Sequence, residues 1–480
     1  MADTTRPIET SPSRDAELDR IFAAQRRAFA AEPHPSRETR AARLDALIRA
    51  VEANEKRIID AINADFTCRS RHETIVAEIV VSVAAAKAAK KGLARWMRPR
   101  AVATPIHMLP GRSRIEPQPL GVIGIISPWN YPVQLALSPA AAALAAGNRV
   151  LVKPSELTPA TSELLRDIIR AEFDEGVMAV VTGGADLGQA FSSVAFDHLL
   201  FTGSTAIGRK VYMAAAANLT PVTLELGGKS PAIIDESADL AAAALSIAHG
   251  KTFNAGQTCV APDYVLTPRA KLDATVDALA ASARKLYPEI DGTKDYTAII
   301  SQRHFARLKA LVAEAKDAGA KIVEVGSSNA LDPQRKIPLT IVVDPPADIG
   351  LMKEEIFGPV LPVIGVTGRE EAIAHVNKGD RPLALYWFGE DKAARDDVLR
   401  RTIAGGVTVN DTLWHVAQEN LPFGGVGKSG IGAYHGRQGF ETFSHMKPVF
   451  YQSRFASNKL LYPPFSEKTD KLLNMVRKIV

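Results

Sequence analysis

A chain of 480 residues is too long for one small core, and its 46% hydrophobic and 23% charged residues fit an ordinary globular protein of two or three domains. The formal charge of +5 comes from basic residues dispersed along helical stretches, with no basic run interleaved with aromatics, so nucleic acid is not an expected partner. No apolar run approaches the roughly 18 residues that span a bilayer, the first 14 residues lack a signal-peptide core, and two cysteines cannot build a disulfide framework, so a cytoplasmic location is expected.

Helical spacing runs through the first hundred residues. Leu18, Ile21, Phe22 and Phe29 share a face, as do Leu44, Leu47, Ile48 and Val51, and then Val76, Ile79, Val80 and Val83. Between 92 and 111 the chain changes character, with Pro99, Pro105 and Pro110 set among arginines, which reads as an extended connection or ribbon. At 120 short apolar runs begin to alternate with helical stretches. Strands are expected at 120–126, 150–152, 178–181, 198–201 and 222–224, and helices around 133–146, 158–171, 187–192 and 206–217. That alternation predicts a parallel, doubly wound sheet. A second series, with strands near 232–234, 264–267, 298–300, 322–325, 340–343, 361–366, 383–388 and 407–409, predicts a second α/β domain. After Gly430 the alternation is lost, and the chain ends in Tyr462-Pro463-Pro464 and an amphipathic helix to Val480. The ten histidines show no metal-ligand spacing, so no metal is expected.

Residues able to do chemistry sit around these strand ends. Asn254-Ala255-Gly256-Gln257-Thr258-Cys259 places a cysteine after a glycine and small polar residues, in a loop that can expose the sulfur and offer backbone N–H groups to a developing charge. A cysteine in a large protein is more often a small buried hydrophobe, and Cys68, without a motif around it, reads that way. Glu225 stands between two leucines against the Gly227-Gly228 pair, where an apolar surround raises a carboxyl pKa into a useful range for a general base. Pro128-Trp129-Asn130-Tyr131-Pro132 stiffens a loop in which Asn130 can present its amide as an oxyanion donor. Lys153 and Glu156 follow one strand, and Gly203 and Ser204 another that opens a helix, positions suited to a ribose and to a pyrophosphate. Phe357 can pack on a nicotinamide ring while Glu355 accepts from its ribose. Taken singly, each of these is equally a turn or a strand end.

Together the motifs PWNYP, KPSE, FTGSTxxG, LELGGKSP, GQTC, EEIFGP and PFGG stand in an order that resembles the aldehyde dehydrogenase superfamily over nearly the whole chain. The resemblance implies Cys259 as nucleophile, Glu225 as general base and Asn130 as oxyanion donor. It further implies an NAD or NADP cofactor held by Lys153, Glu156, Gly203, Ser204, Glu355 and Phe357. The implied fold is α/β: a Rossmann-type cofactor domain at 1–100 and 120–226, a catalytic domain at 227–430, and an oligomerisation ribbon and tail at 101–119 and 431–480. AGQTCVAPDYVL and the tail FSHMKP…YPP are similar to the class 3 branch, which implies a homodimer, and GVIGIISPWNYPVQLALSPAAAALAAGNRVLVKPSE and FASNKLLYPPFS resemble bacterial coniferyl aldehyde dehydrogenases. The implied reaction is oxidation of an aldehyde, coniferaldehyde, to its acid through a thioester. Tyr131, Trp414 and Phe423 are the candidate pocket residues, and the same walls would suit medium-chain aliphatic or aromatic aldehydes. A CoA-acylating enzyme disagrees with the retained Glu225, and a non-catalytic protein with both retained residues.

Overall fold

The computed structural model describes residues 16–326 and 331–479. The polar segment 1–14 and the terminal Val480 lie outside the described residues. Five parallel strands, Val122–Ile126, Arg149–Lys153, Met178–Val180, His198–Thr202 and Val222–Glu225, form one sheet, joined at its edge by the antiparallel pair Gly430–Ile431. The first strand is central: the next two extend the sheet on one side and the following two on the other. The first four are buried along their whole length, the pattern of parallel strands covered on both faces. In such a sheet the winding reverses between Val122–Ile126 and His198–Thr202, and the crevice at their carboxyl ends is where ligands bind.

The second sheet has seven strands, in the order Lys321–Glu324, Thr340–Val343, Val360–Val366, Tyr264–Pro268, Pro231–Ile234, Ala384–Phe388, Gly406–Val409. Only its first strand is antiparallel to its neighbour. In a third sheet Arg112–Pro119 lies between Arg100–Val102 and Ser444–Tyr451, antiparallel to both.

The structure departs from the sequence expectations in two places. No strand forms at 298–300. Its backbone serves other groups: the N–H of Ala298 donates to Cys68, that of Ile299 to Arg335, and that of Ile300 to Gln257 Oε1. Ser444–Tyr451 pairs with the ribbon strand Arg112–Pro119, as the resemblance implies for the C-terminal segment, although the tail shows no alternation of its own. Val76 and Val80, expected on a buried face, are 57% and 53% exposed, because Ile75–Val80 is a π-helical turn whose extra residue shifts the helical phase.

Helix Gln134–Ala146 follows the central strand and has no exposed position, as its run of alanines allows. No side chain of its own caps its start. Glu78, 56 residues away from Gln134, does so instead, accepting from the N–H of Val133 (3.0 Å) and Gln134 (2.8 Å) through Oε2.

Candidate active site

Helix Leu240–Thr252 ends one residue before the chain takes three successive left-handed residues: Asn254 (φ 52°), Ala255 (φ 50°) and Gly256 (φ 70°). Such conformations cost roughly 1–3 kcal/mol for each non-glycine residue and persist where their surroundings over-determine them. Here Asn254 donates its N–H to Glu73 Oε2 (3.0 Å) and its Nδ2 to the carbonyls of Asn130 and Gln257 (both 3.1 Å). Gln257 Nε2 donates to the carbonyls of Asn254 (3.0 Å) and Ala298 (3.1 Å), so the misread segment at 298–300 is a brace for this loop. The Tyr386 hydroxyl holds the carbonyl of Val260 on the far side. Cys259 lies between these fixed points, half-buried.

Burial pushes the Cys259 thiol up to about 12, helped by the Glu355 and Glu225 carboxylates and opposed by the N–H groups of Cys259 and Val260. Those two N–H groups favour negative charge on the sulfur. Glu225 closes the strand Val222–Glu225 and is 2% exposed, and among the described residues neither of its oxygens has a hydrogen-bond partner. Burial drives its pKa well above the carboxylate range. A buried carboxyl with both oxygens free can hold a water and take its proton. Asn130 spends one N–H of its side-chain amide on the Gln257 carbonyl (3.1 Å), which leaves the other free.

Arg69, Glu73 and Glu78 are residues that sequence reasoning passed over. Arg69 is buried between the rings of Phe66 (4.8 Å) and Tyr131 (4.9 Å) and donates to the Asn130 carbonyl (2.7 Å). Glu73 accepts from Asn254 and from Thr297 Oγ1 (3.0 Å). One short segment thus grips both the Asn130 loop and the Cys259 loop. No local signal in the sequence marks Glu73, which stands in Ser70-Arg71-His72-Glu73-Thr74.

The candidate cofactor residues occupy the carboxyl ends of the first sheet and one loop of the second. Lys153 is buried at a strand end and reaches Glu156 Oε2 at 2.9 Å. Partial burial opposes ionisation of Glu156, but its own backbone N–H and Lys153 outweigh it and hold its pKa below the usual value. Gly203 follows the strand His198–Thr202, and the Ser204 side chain caps Ile207 N at the start of helix Thr205–Ala216, leaving earlier N–H groups of that helix for an anion. Glu355 lies against Gly227, where any Cβ would collide with its carboxyl. Burial and then Asp263 raise the Glu355 carboxyl to about 8 against the Gly228 N–H, Lys229 and Lys251. Phe357 is itself left-handed (φ 51°) and meets the Trp129 ring edge-on at 5.3 Å. Helix-start N–H groups, a lysine–carboxylate pair and a carboxyl cradled by glycine form a donor set that suits a dinucleotide.

Cys259 lines a cavity of about 360 Å³ together with Tyr131, Trp414, Phe423, Tyr434 and Leu135. Tyr131 and Phe423 are buried, whereas Trp414 is 65% exposed at the rim. The Tyr131 hydroxyl is 2.6 Å from Thr258 Oγ1.

Residues 3–449 match the aldehyde dehydrogenase family. The chain is 46% identical to a protein of Caulobacter vibrioides described as a probable coniferyl aldehyde dehydrogenase, over 97% of each chain. It is also 46% identical to the coniferyl aldehyde dehydrogenase of a Pseudomonas species, over 92% of each. A substrate-bound Staphylococcus aureus AldH superimposes with a TM-score of 0.90 at 37% identity, covering 96% of this chain and 99% of that one. An NAD⁺ complex of a Mycobacterium tuberculosis aldehyde dehydrogenase gives 0.82 at 30% identity, covering 92% and 91%.

Proposed function

Because the chain belongs to the aldehyde dehydrogenase family and oxidises aldehydes with NAD or NADP, we propose that coniferaldehyde is its substrate, ferulate its product and Cys259 its nucleophile. The observation that carries this reading is the aromatic cavity that Cys259 shares with Tyr131, Phe423 and Trp414, a lining suited to a planar arylpropenal.

In this reading Cys259, as thiolate, adds to the aldehyde carbon. The free N–H of the Asn130 amide and the Cys259 N–H take the resulting oxyanion. Lys153, Glu156, Gly203 and Ser204 hold the adenosine and pyrophosphate end of the dinucleotide, and Glu355 and Phe357 the nicotinamide riboside. When bound, that group supplies the hydride acceptor and a positive ring that favours the thiolate. Loss of hydride from the thiohemiacetal carbon leaves a thioester on Cys259. Glu225 then takes a proton from water, which adds to the thioester carbonyl, and the acid leaves as the thiol reforms.

We also read the protein as a cytoplasmic homodimer. Exposed Phe450 and Tyr451 on the ribbon strand Ser444–Tyr451 support a subunit contact there. No helix among the described residues is long and apolar enough to cross a membrane.

The deciding experiment is kcat/KM for coniferaldehyde, benzaldehyde and an aliphatic aldehyde series, each with NAD⁺ and NADP⁺. Coniferaldehyde is expected to lead by about tenfold, or about 1.4 kcal/mol of transition-state discrimination. An aliphatic aldehyde in first place would overturn the substrate assignment and leave the family chemistry intact.

A further inference from the structure

We infer that His249 and Asp411 form a polar subsite in the wall of the Cys259 cavity that receives the phenolic hydroxyl of the substrate. The inference rests on the arylpropenal reading above and names the residues that enforce it.

Most of this wall is apolar or aromatic, with Val76, Ala77, Val81 and Phe253 among its residues. Its Thr258, Gln134 and Thr412 side chains have partners inside the protein. Thr258 meets the Tyr131 hydroxyl, Gln134 meets Ser138 and Tyr434, and Thr412 Oγ1 donates to the Ser246 carbonyl (3.0 Å). His249 and Asp411 differ. The His249 ring makes no hydrogen bond among the described residues, and it meets Phe253 edge-on at 5.5 Å. Asp411 uses Oδ1 for Ser246 Oγ (2.5 Å) and for its neighbour's N–H at Thr412 (2.7 Å), and among the described residues Oδ2 has no donor.

The two residues come from distant parts of the chain, and a tight contact brings together the helix and the loop that carry them. His249 is on the last turn of Leu240–Thr252, and Asp411 is on the loop after strand Gly406–Val409. A Cβ on Gly250 would lie 2.5 Å from Thr412 Oγ1, so glycine is what lets the helix approach the loop this closely. Ser246, one turn before His249, is clasped by the same loop through Asp411 and Thr412.

Desolvation lowers the His249 pKa from its ordinary value, with Asp411 opposing, and one side of the residue stays exposed. A neutral imidazole and a carboxylate oxygen can both accept from a phenol O–H, and the imidazole N–H can donate to an adjacent methoxy oxygen. An aliphatic aldehyde offers neither group, and an unsubstituted arylpropenal leaves both residues unanswered. Sites built to bind a substrate hydroxyl reject the analogue that lacks it.

The test is the ratio of kcat/KM for 4-hydroxycinnamaldehyde over cinnamaldehyde, which differ by that hydroxyl alone. It is measured for the wild type, His249→Leu and Asp411→Asn, with hexanal turnover as the control for a folded site. The wild type is expected to favour the hydroxylated aldehyde by about tenfold, and each variant to fall to a ratio within about twofold of one, through KM. Hexanal turnover is expected to be unchanged. If His249→Leu loses hexanal turnover, His249→Phe, which keeps a ring in place, is read instead. A wild-type preference that both variants retain overturns the subsite and leaves the substrate reading standing. A wild-type ratio near one overturns both.

Discussion

Replacing Glu78 by glutamine keeps the shape of the side chain and removes its charge, and the expected outcome is a protein whose stability falls less as pH rises. Glu78 Oε2 accepts two N–H groups at the start of the buried helix Gln134–Ala146, and Arg69 lies 3.7 Å from Oε1. Burial outweighs the Arg69 cation and both N–H groups and carries the pKa from 4.5 to about 7. Below pH 4.5 the folded and unfolded chains both hold the proton, and the residue costs nothing. Between 4.5 and 7 the unfolded chain ionises while the folded one keeps its proton, so stability is lost progressively. Above 7 both are ionised and the loss levels off at about 3 kcal/mol. An amide oxygen can accept the same two N–H groups without this loss. Leaving Arg69 without its carboxylate lowers the variant at every pH, so the readout is the change in the gap between the two proteins. Thermal unfolding of wild type and Glu78→Gln at pH 5, 7 and 9 should show the variant gaining several degrees relative to wild type between the first and last buffers. A gap that stays constant from pH 5 to 9 would refute the reasoning.

Glu225→Gln should give a stoichiometric burst of reduced cofactor followed by turnover slowed by about 10²- to 10⁴-fold, seen by stopped-flow absorbance. Wild-type steady-state rates would remove Glu225 from the reaction. Asn130→Ala should lower kcat by about 10²- to 10³-fold, and rates within twofold of wild type would show that its amide does not face the oxyanion. In a Cys68→Ser background, alkylation of the cofactor-free protein by iodoacetamide should accelerate about tenfold per pH unit from 7 to 10, because Cys259 is held near 12. A plateau below pH 9 would contradict that. Glu156→Gln should shift the ratio of kcat/KM values toward NADP⁺ by about tenfold, since a carboxylate suits a ribose hydroxyl and repels a 2′-phosphate. An unmoved ratio would place Glu156 away from the ribose.

The alternating series of buried strands and helices was legible in the sequence because parallel strands covered on both faces must be apolar throughout, as Val122–Ile126 is. The motifs at strand ends were legible for a related reason: glycine, proline and a lone carboxylate among apolar residues are local statements about backbone and burial. Cys259 could be nominated in this way, and Tyr131, Trp414 and Phe423 through the family resemblance that these motifs carry; all four line one cavity.

What the sequence could not express is partnership over long separations. Glu73 is 181 residues from Asn254, and Glu78 55 from Val133, so nothing local distinguishes them from surface glutamates. The run at 298–300 has the composition of a strand, but its backbone hydrogen bonds go to Cys68, Arg335 and Gln257, so a brace forms where the local pattern asked for an edge. Ser444–Tyr451 is a strand through pairing with Arg112–Pro119, without an alternating pattern of its own. The acidities of Cys259, Glu225 and Glu355 were likewise settled by folding. Desolvation by the whole surrounding structure is the largest influence on each, and it exists only once distant segments have closed over them.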